Sequence, residues 1–144
     1  MSDEVYIYRL ELNGQGMFTS GAVAKARREI KNSLIRRNKS PYNHPSPDED
    51  IILGEVWRGF DYSNRYRYYF GASNLKKLFE WIPHYRYAQE FRKLGVHLVT
   101  YKVNKEHVIH GAMQSIFLMK FAQRVNSVPL PDAKTMRKMR NSHA

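Results

Sequence analysis

Between residues 65 and 103 the hydrophobic period of the chain switches from that of a strand to that of a helix and back, and this order limits the fold more than any other feature. In RYRYYF, residues 65–70, Arg65, Arg67 and Tyr69 alternate with Tyr66, Tyr68 and Phe70, as in a half-buried strand. In GASNLKKLFEWI the apolar residues Leu75, Leu78, Phe79 and Ile82 recur at helical spacing, and Ser73 or Asn74 supplies the cap oxygen. Pro83 interrupts the helix. A second helix then carries Tyr87, Phe91 and Leu94 inward and ends at Gly95, where a left-handed C-cap belongs. VHLVTYKV, 96–103, returns to strand spacing. A helical pair framed by strands packs on a sheet, which predicts an α+β fold.

The flanking segments extend this reading. VYIYRLEL, 5–12, is a strand with Tyr6, Tyr8, Leu10 and Leu12 on one face and Val5, Ile7, Arg9 and Glu11 on the other; NGQG after it is a glycine turn. From a cap at Ser20, Val23, Ala26, Ile30 and Leu34 predict a helix over 21–39. Three prolines at 41, 45 and 47 mark a surface loop over 38–50, and IILGEVWRGF after it is read as a strand. Residues 112–124 suit a helix or a buried strand equally, because a short apolar run carries no decisive period. The expectation is one domain over 1–128, with a small mixed or antiparallel sheet and about three helices. Residues 129–144 are expected to form a basic, flexible tail.

Charge narrows the function. The net charge is +11, and residues 21–44 hold seven basic side chains against Glu29 alone, whereas 45–56 hold four acidic ones and no basic one. On the predicted helix this concentrates Lys25, Arg27, Arg28, Lys31, Arg36 and Arg37. Such a footprint implies an anionic partner, either nucleic acid or an acidic protein that acts on it. Arg65 and Arg67, interleaved with tyrosines, extend the candidate surface, since aromatic rings stack on unpaired bases while arginine meets phosphate. Rings on the buried side of that strand would be core instead. The chain has no cysteine, which excludes disulfides and cysteine-metal sites, and no apolar run approaches the roughly 20 residues of a membrane span. The basic start and apolar core of a signal peptide are missing, so a cytoplasmic location is expected.

Motifs for catalysis are sparse. His107 and His110 lie one helical turn apart, but no third ligand accompanies them, so no metal is expected. His44 with Asp48, Glu49 and Asp50 reads as a solvated acidic loop. Neither a nucleophile elbow nor a phosphate loop occurs, and no cofactor is expected on these grounds.

Four islands, YRLELNGQGMF, YYFGASNLKKLFEWI, LGVHLVTYKV and HGAMQSIF, resemble a set of small bacteriophage-encoded proteins of uncharacterised role. Against that pattern the basic helix and the C-terminal tail look like additions. The islands are also distantly similar to the arginine, serine and glutamate order of ADP-ribosyltransferases. That resemblance implies NAD as cofactor, held by Arg9 and Ser73, with Gln114 standing where the glutamate belongs. A neutral amide cannot take the role of a carboxylate there. The leading reading is therefore a non-enzymatic phage accessory or host-takeover protein that binds its partner through the basic helix, with an NAD-binding transferase or its inactive descendant as the alternative.

Overall fold

The computed structural model describes residues 3–12, 15–16, 50–65, 67–79, 85–112 and 114–142, and these form four stacked layers. The chain order is β1 (Glu4–Leu12), β2 (Gln15–Gly16), α1 (Leu53–Arg58), α2 (Tyr62–Arg65), β3 (Tyr68–Gly71), α3 (Leu75–Phe79), α4 (Tyr85–Leu94), β4 (His97–Asn104), β5 (Val108–His110), β6 (Ser115–Leu118), β7 (Ala122–Pro129) and α5 (Ala133–Ser142). Single 3₁₀ turns at Lys105–His107 and Met119–Phe121 join β4 to β5 and β6 to β7. One antiparallel sheet has the order β2-β1-β4-β7 and the other β3-β6-β5. The fold is α+β, as the sequence predicts.

β1 is buried on both faces, which explains why it carries polar residues in the interior. Leu10 and Leu12 on one face pack with Leu75, Leu78, Phe79, Phe91, Leu98 and Met136 beneath α3, α4 and α5. On the other face Ile7 meets Val99, Tyr101 and Val103 of its own sheet and Phe117 of the second sheet. That second sheet has its own far side, where Ile116 packs with Leu53 and Trp57 of α1, bordered by Phe60, Tyr68 and Phe70. The layers thus run from the helices α3–α5 through the first sheet and the second sheet to α1.

The helix ends follow local chemistry. Asn74 caps α3, its Oδ1 accepting from Lys77 N at 2.8 Å, and Leu75, Leu78 and Phe79 are buried as their spacing requires. At the end of α4, Gly95 has φ +94°, Gly95 N donates to Arg92 O and Val96 N to Phe91 O, both at 3.1 Å. This bond pair closes a helix in a left-handed turn, a conformation glycine adopts at no steric cost.

Four expectations change. IILGEVWRGF is not a strand: Leu53–Arg58 is helical because the Asp50 carboxylate accepts from Ile52 N and Leu53 N at 3.0 Å and turns the backbone there. RYRYYF forms a strand only from Tyr68; Asp61 caps a helical turn just before it, accepting from Asn64 N at 2.8 Å. The ambiguous 112–124 segment resolves as strands β6 and β7 around a 3₁₀ turn, with Phe117 and Ile116 alternating between two apolar layers. The segment 129–144, expected to be flexible, contains α5, which Asp132 caps and which fully buries Met136 beside Leu130. Glycine 14 and the basic helix predicted over 21–39 lie outside the described residues, as does most of the 38–50 loop.

Candidate functional site

The antiparallel register of β1 with β4 places Arg9 opposite Val99 and Glu11 opposite His97, with Tyr101 opposite Ile7 on the same inner face. β7 then sets Arg124 opposite Tyr101. Four polar side chains from three strands therefore meet between the two sheets. Tyr101 donates its hydroxyl to Glu11 Oε2 at 2.6 Å, and Arg9 Nε lies 3.2 Å from the same oxygen. Arg124 reaches Glu11 Oε1 and the Tyr101 hydroxyl, each at 3.4 Å. From the second sheet Tyr69 of β3 lays its ring 4.9 Å from the centre of the Arg9 guanidinium.

Arg9 and Glu11 are 5% and 3% exposed, so one guanidinium and one carboxylate are buried here, with the half-exposed Arg124 guanidinium at their edge. Burial pulls the Arg9 pKa down from its ordinary value, opposed chiefly by Glu11 and then by Tyr101 and Tyr69. Burial, then the bond to Glu11, pushes the Tyr101 phenol up. Tyr101 and Phe117 rings, 5.7 Å apart, wall the polar cluster from the apolar layer below.

The residues singled out in the sequence are distributed differently. Arg9 is central, while Ser73 is half-buried after β3 and leaves helix capping to Asn74. Gln114 is buried just before β6, its backbone N donating to Asp50 Oδ2 at 3.3 Å and its carbonyl accepting from Gly111 N at 2.8 Å. β6 pairs with β3 and β5, whereas the strand of Arg9 pairs with β2 and β4. The two sheets touch through backbone only at Tyr8 and Ala72 among the described residues. Arg65 donates to the Trp57 carbonyl at 3.0 Å and stacks on that ring, whereas Arg67 is exposed. Tyr68 and Phe70 are engaged with Trp57 and Phe60, which makes them core rather than stacking platforms. Lys25, Arg27, Arg28, Lys31, Arg36 and Arg37 lie outside the described residues. His107 stacks on Phe121 at 3.9 Å and His110 Nδ1 lies 2.8 Å from Ser115 Oγ; no three-ligand metal group occurs among the described residues.

Sequence reasoning missed Glu11, Tyr69, Tyr101 and Arg124 as partners of Arg9. Arg9 and Glu11 share a strand face, which was visible, but Tyr101 and Arg124 join them only through strand register. It also missed a second charged surface, on the helices. Lys76 of α3, Arg92 and Lys93 of α4, and Lys134, Arg137 and Lys138 of α5 are exposed. Neither α3 nor α5 contains an acidic residue, and α4 contains only Glu90.

A two-sheet α+β domain with a buried arginine–carboxylate cluster inside and basic helices outside is the class that these observations define. Within it, residues 1–131 match the sequence model of the family described as the Bacteriophage T4 Y00F protein, and the chain belongs to that phage protein family. The matched range spans the basic segment 21–44 and stops before α5. No curated protein and no solved structure matches.

Proposed function

We propose that the protein is a phage accessory protein that binds nucleic acid through its basic surface without chemistry of its own. The observation that carries this reading is the layer α3–α5, each of whose helices exposes basic side chains. A phosphate backbone is the polyanion that such a surface fits, since several separated cations each meet one phosphate and release its counterions. The segment Lys25–Arg37 adds six basic side chains to the same task. No helix among the described residues is long and apolar enough to cross a membrane, and the reading places the protein with its partner in the host cytoplasm.

Binding of generic double- and single-stranded DNA and RNA, measured against salt concentration, tests it. The expected result is affinity that falls steeply with salt, with a slope that drops by roughly one for each phosphate contact removed. Replacing Arg92, Lys134, Arg137 and Lys138 together by glutamine should flatten the slope. Absence of binding at low salt, or a slope unchanged in that variant and in one replacing Arg27, Arg28, Arg36 and Arg37, overturns the reading and directs attention to an acidic host protein.

A further inference from the structure

Glu11 and Arg9 are unequally served. The Glu11 carboxylate receives the Tyr101 hydroxyl and the Arg9 Nε on one oxygen and Arg124 on the other. Arg9, by contrast, has five N–H donors, an enclosed side chain only 6% exposed and, among the described residues, one ionic contact, through Nε. That Nε is itself buried without an aligned hydrogen bond, and among the described residues no acceptor bonds to either Nη nitrogen. Buried donors are almost always satisfied in folded proteins, so a buried Nε held beside Glu11 without a hydrogen bond is unusual. The packing that holds it is specific: Tyr69 lies over its face and Glu11 fixes its Nε edge.

We propose that Arg9 and the half-exposed Arg124 beside it form a binding site for a single phosphate group. Glu11 neutralises one of the two guanidiniums, and the surplus positive charge selects an anion. The planar fork of Arg9 presents two parallel donors to two oxygens of that anion. A carboxylate is exhausted by that one fork. A phosphate has a further oxygen for a second arginine, and Arg124 is placed to supply it: its side chain is half exposed, and its contacts to Glu11 and Tyr101 are long, both 3.4 Å. If Arg124 turns to the phosphate, Glu11 keeps Tyr101 and Arg9. The site lies across the first sheet from α3–α5, so it is separate from the basic helical face and does not depend on it.

The test is titration of the full chain with inorganic phosphate, followed by amide and arginine Nε–H NMR signals and by calorimetry. Phosphate should move the Arg9 Nε–H signal together with the amides of residues 9–11, 69, 101 and 124. Arg9→Lys, which keeps the charge and removes the fork, should weaken binding by about tenfold, and Arg124→Gln by several-fold. Lys134→Gln with Arg137→Gln, on the helical face, should leave phosphate affinity unchanged. Two further probes name the source of the phosphate. A nucleoside monophosphate that binds more tightly than inorganic phosphate assigns the site to a small ligand. A preference for a 5′-phosphorylated oligonucleotide over its 5′-hydroxyl counterpart assigns it to a strand end. Unmoved Arg9 signals in tens of millimolar phosphate, affinity unaltered by Arg124→Gln in a folded variant, or phosphate affinity lost with the helical-face charges each overturns the proposal. The last of these leaves the nucleic-acid reading standing.

Discussion

Tyr8 and Ala72 exchange a pair of backbone hydrogen bonds, each 2.9 Å long, and this bridge fastens the second sheet to the first. Gly71 makes the approach feasible. A Cβ on residue 71 would run into Ile7 Cγ2 and lie 2.8 Å from the Tyr8 carbonyl oxygen. Backbone cannot retreat as a flexible side chain can, so the two sheets would have to separate. Gly71→Ala is expected to destabilise the fold by about 3 kcal/mol, within the range for overpacking next to backbone. Thermal unfolding checks this; a melting temperature within a degree or two of the parent would show that the seam is softer than its geometry indicates.

Asp50 is the second fastening. It is 1% exposed and its carboxylate accepts from Ile52, Leu53 and Ala112 on Oδ1 and from Gln114 on Oδ2. It therefore starts α1 and ties that helix to the turn before β6. Asp50→Ala strands four N–H groups at once, those of Leu53 and Gln114 buried, and should cost about 3 kcal/mol, since each unmet buried donor forfeits its solvation. Asp50→Asn keeps one acceptor oxygen and should lose less. Urea denaturation of both variants decides the order.

Met136 decides whether α5 is part of the cooperative unit. It is fully buried, and truncation of a buried methionine to alanine typically costs about 2–5 kcal/mol. With Met136→Ala, amide exchange across residues 133–142 should accelerate more than exchange in β4. Equal acceleration in both would mean that the helix and sheet open only together.

Tyr101 should make stability sensitive to alkaline pH. Its folded pKa is raised above the ordinary 10.0, by burial first and then by Glu11. The unfolded chain thus loses this proton before the folded chain does. The contribution is fully present below pH 10 and is lost as pH rises through the folded value. Denaturation midpoints should fall above pH 10, and Tyr101→Phe should make that fall shallower. At neutral pH the same substitution removes a hydrogen bond to a carboxylate and should cost about 1–2 kcal/mol. An identical alkaline profile in the variant would assign the pH dependence to other groups.

The legible parts of the fold were those written in local pattern. The alternation of β1 and β4, the stripe Leu75–Leu78–Phe79 and the Gly95 stop each need only neighbouring residues to be recognised. α1 was misread because its helical start depends on Asp50, whose carboxylate is held from the far side by Ala112 and Gln114. α5 had a readable signal that charge obscured: Pro131-Asp132 before Ala133, then Met136 and Met139 at helical spacing. Of the candidate site, Arg9 was legible and its company was not. Tyr101 and Arg124 reach Glu11 from 90 and 113 residues away, and no local period encodes a register across that distance.

The register that pairs Glu4 with Asn104 and Glu11 with His97 also sets an order of events during synthesis. β1 leaves the ribosome well before its main hydrogen-bonding partner, which is made some 90 residues later. Until then only the two-residue pairing with β2, the bridge to Ala72 and the faces of α3 and α4 can meet it, and closing so long a loop is entropically slow. The strand that joins the helical layer α3–α5 to both sheets therefore waits for its main partner, and the interval before residue 104 emerges is when the nascent chain is most exposed to mispairing.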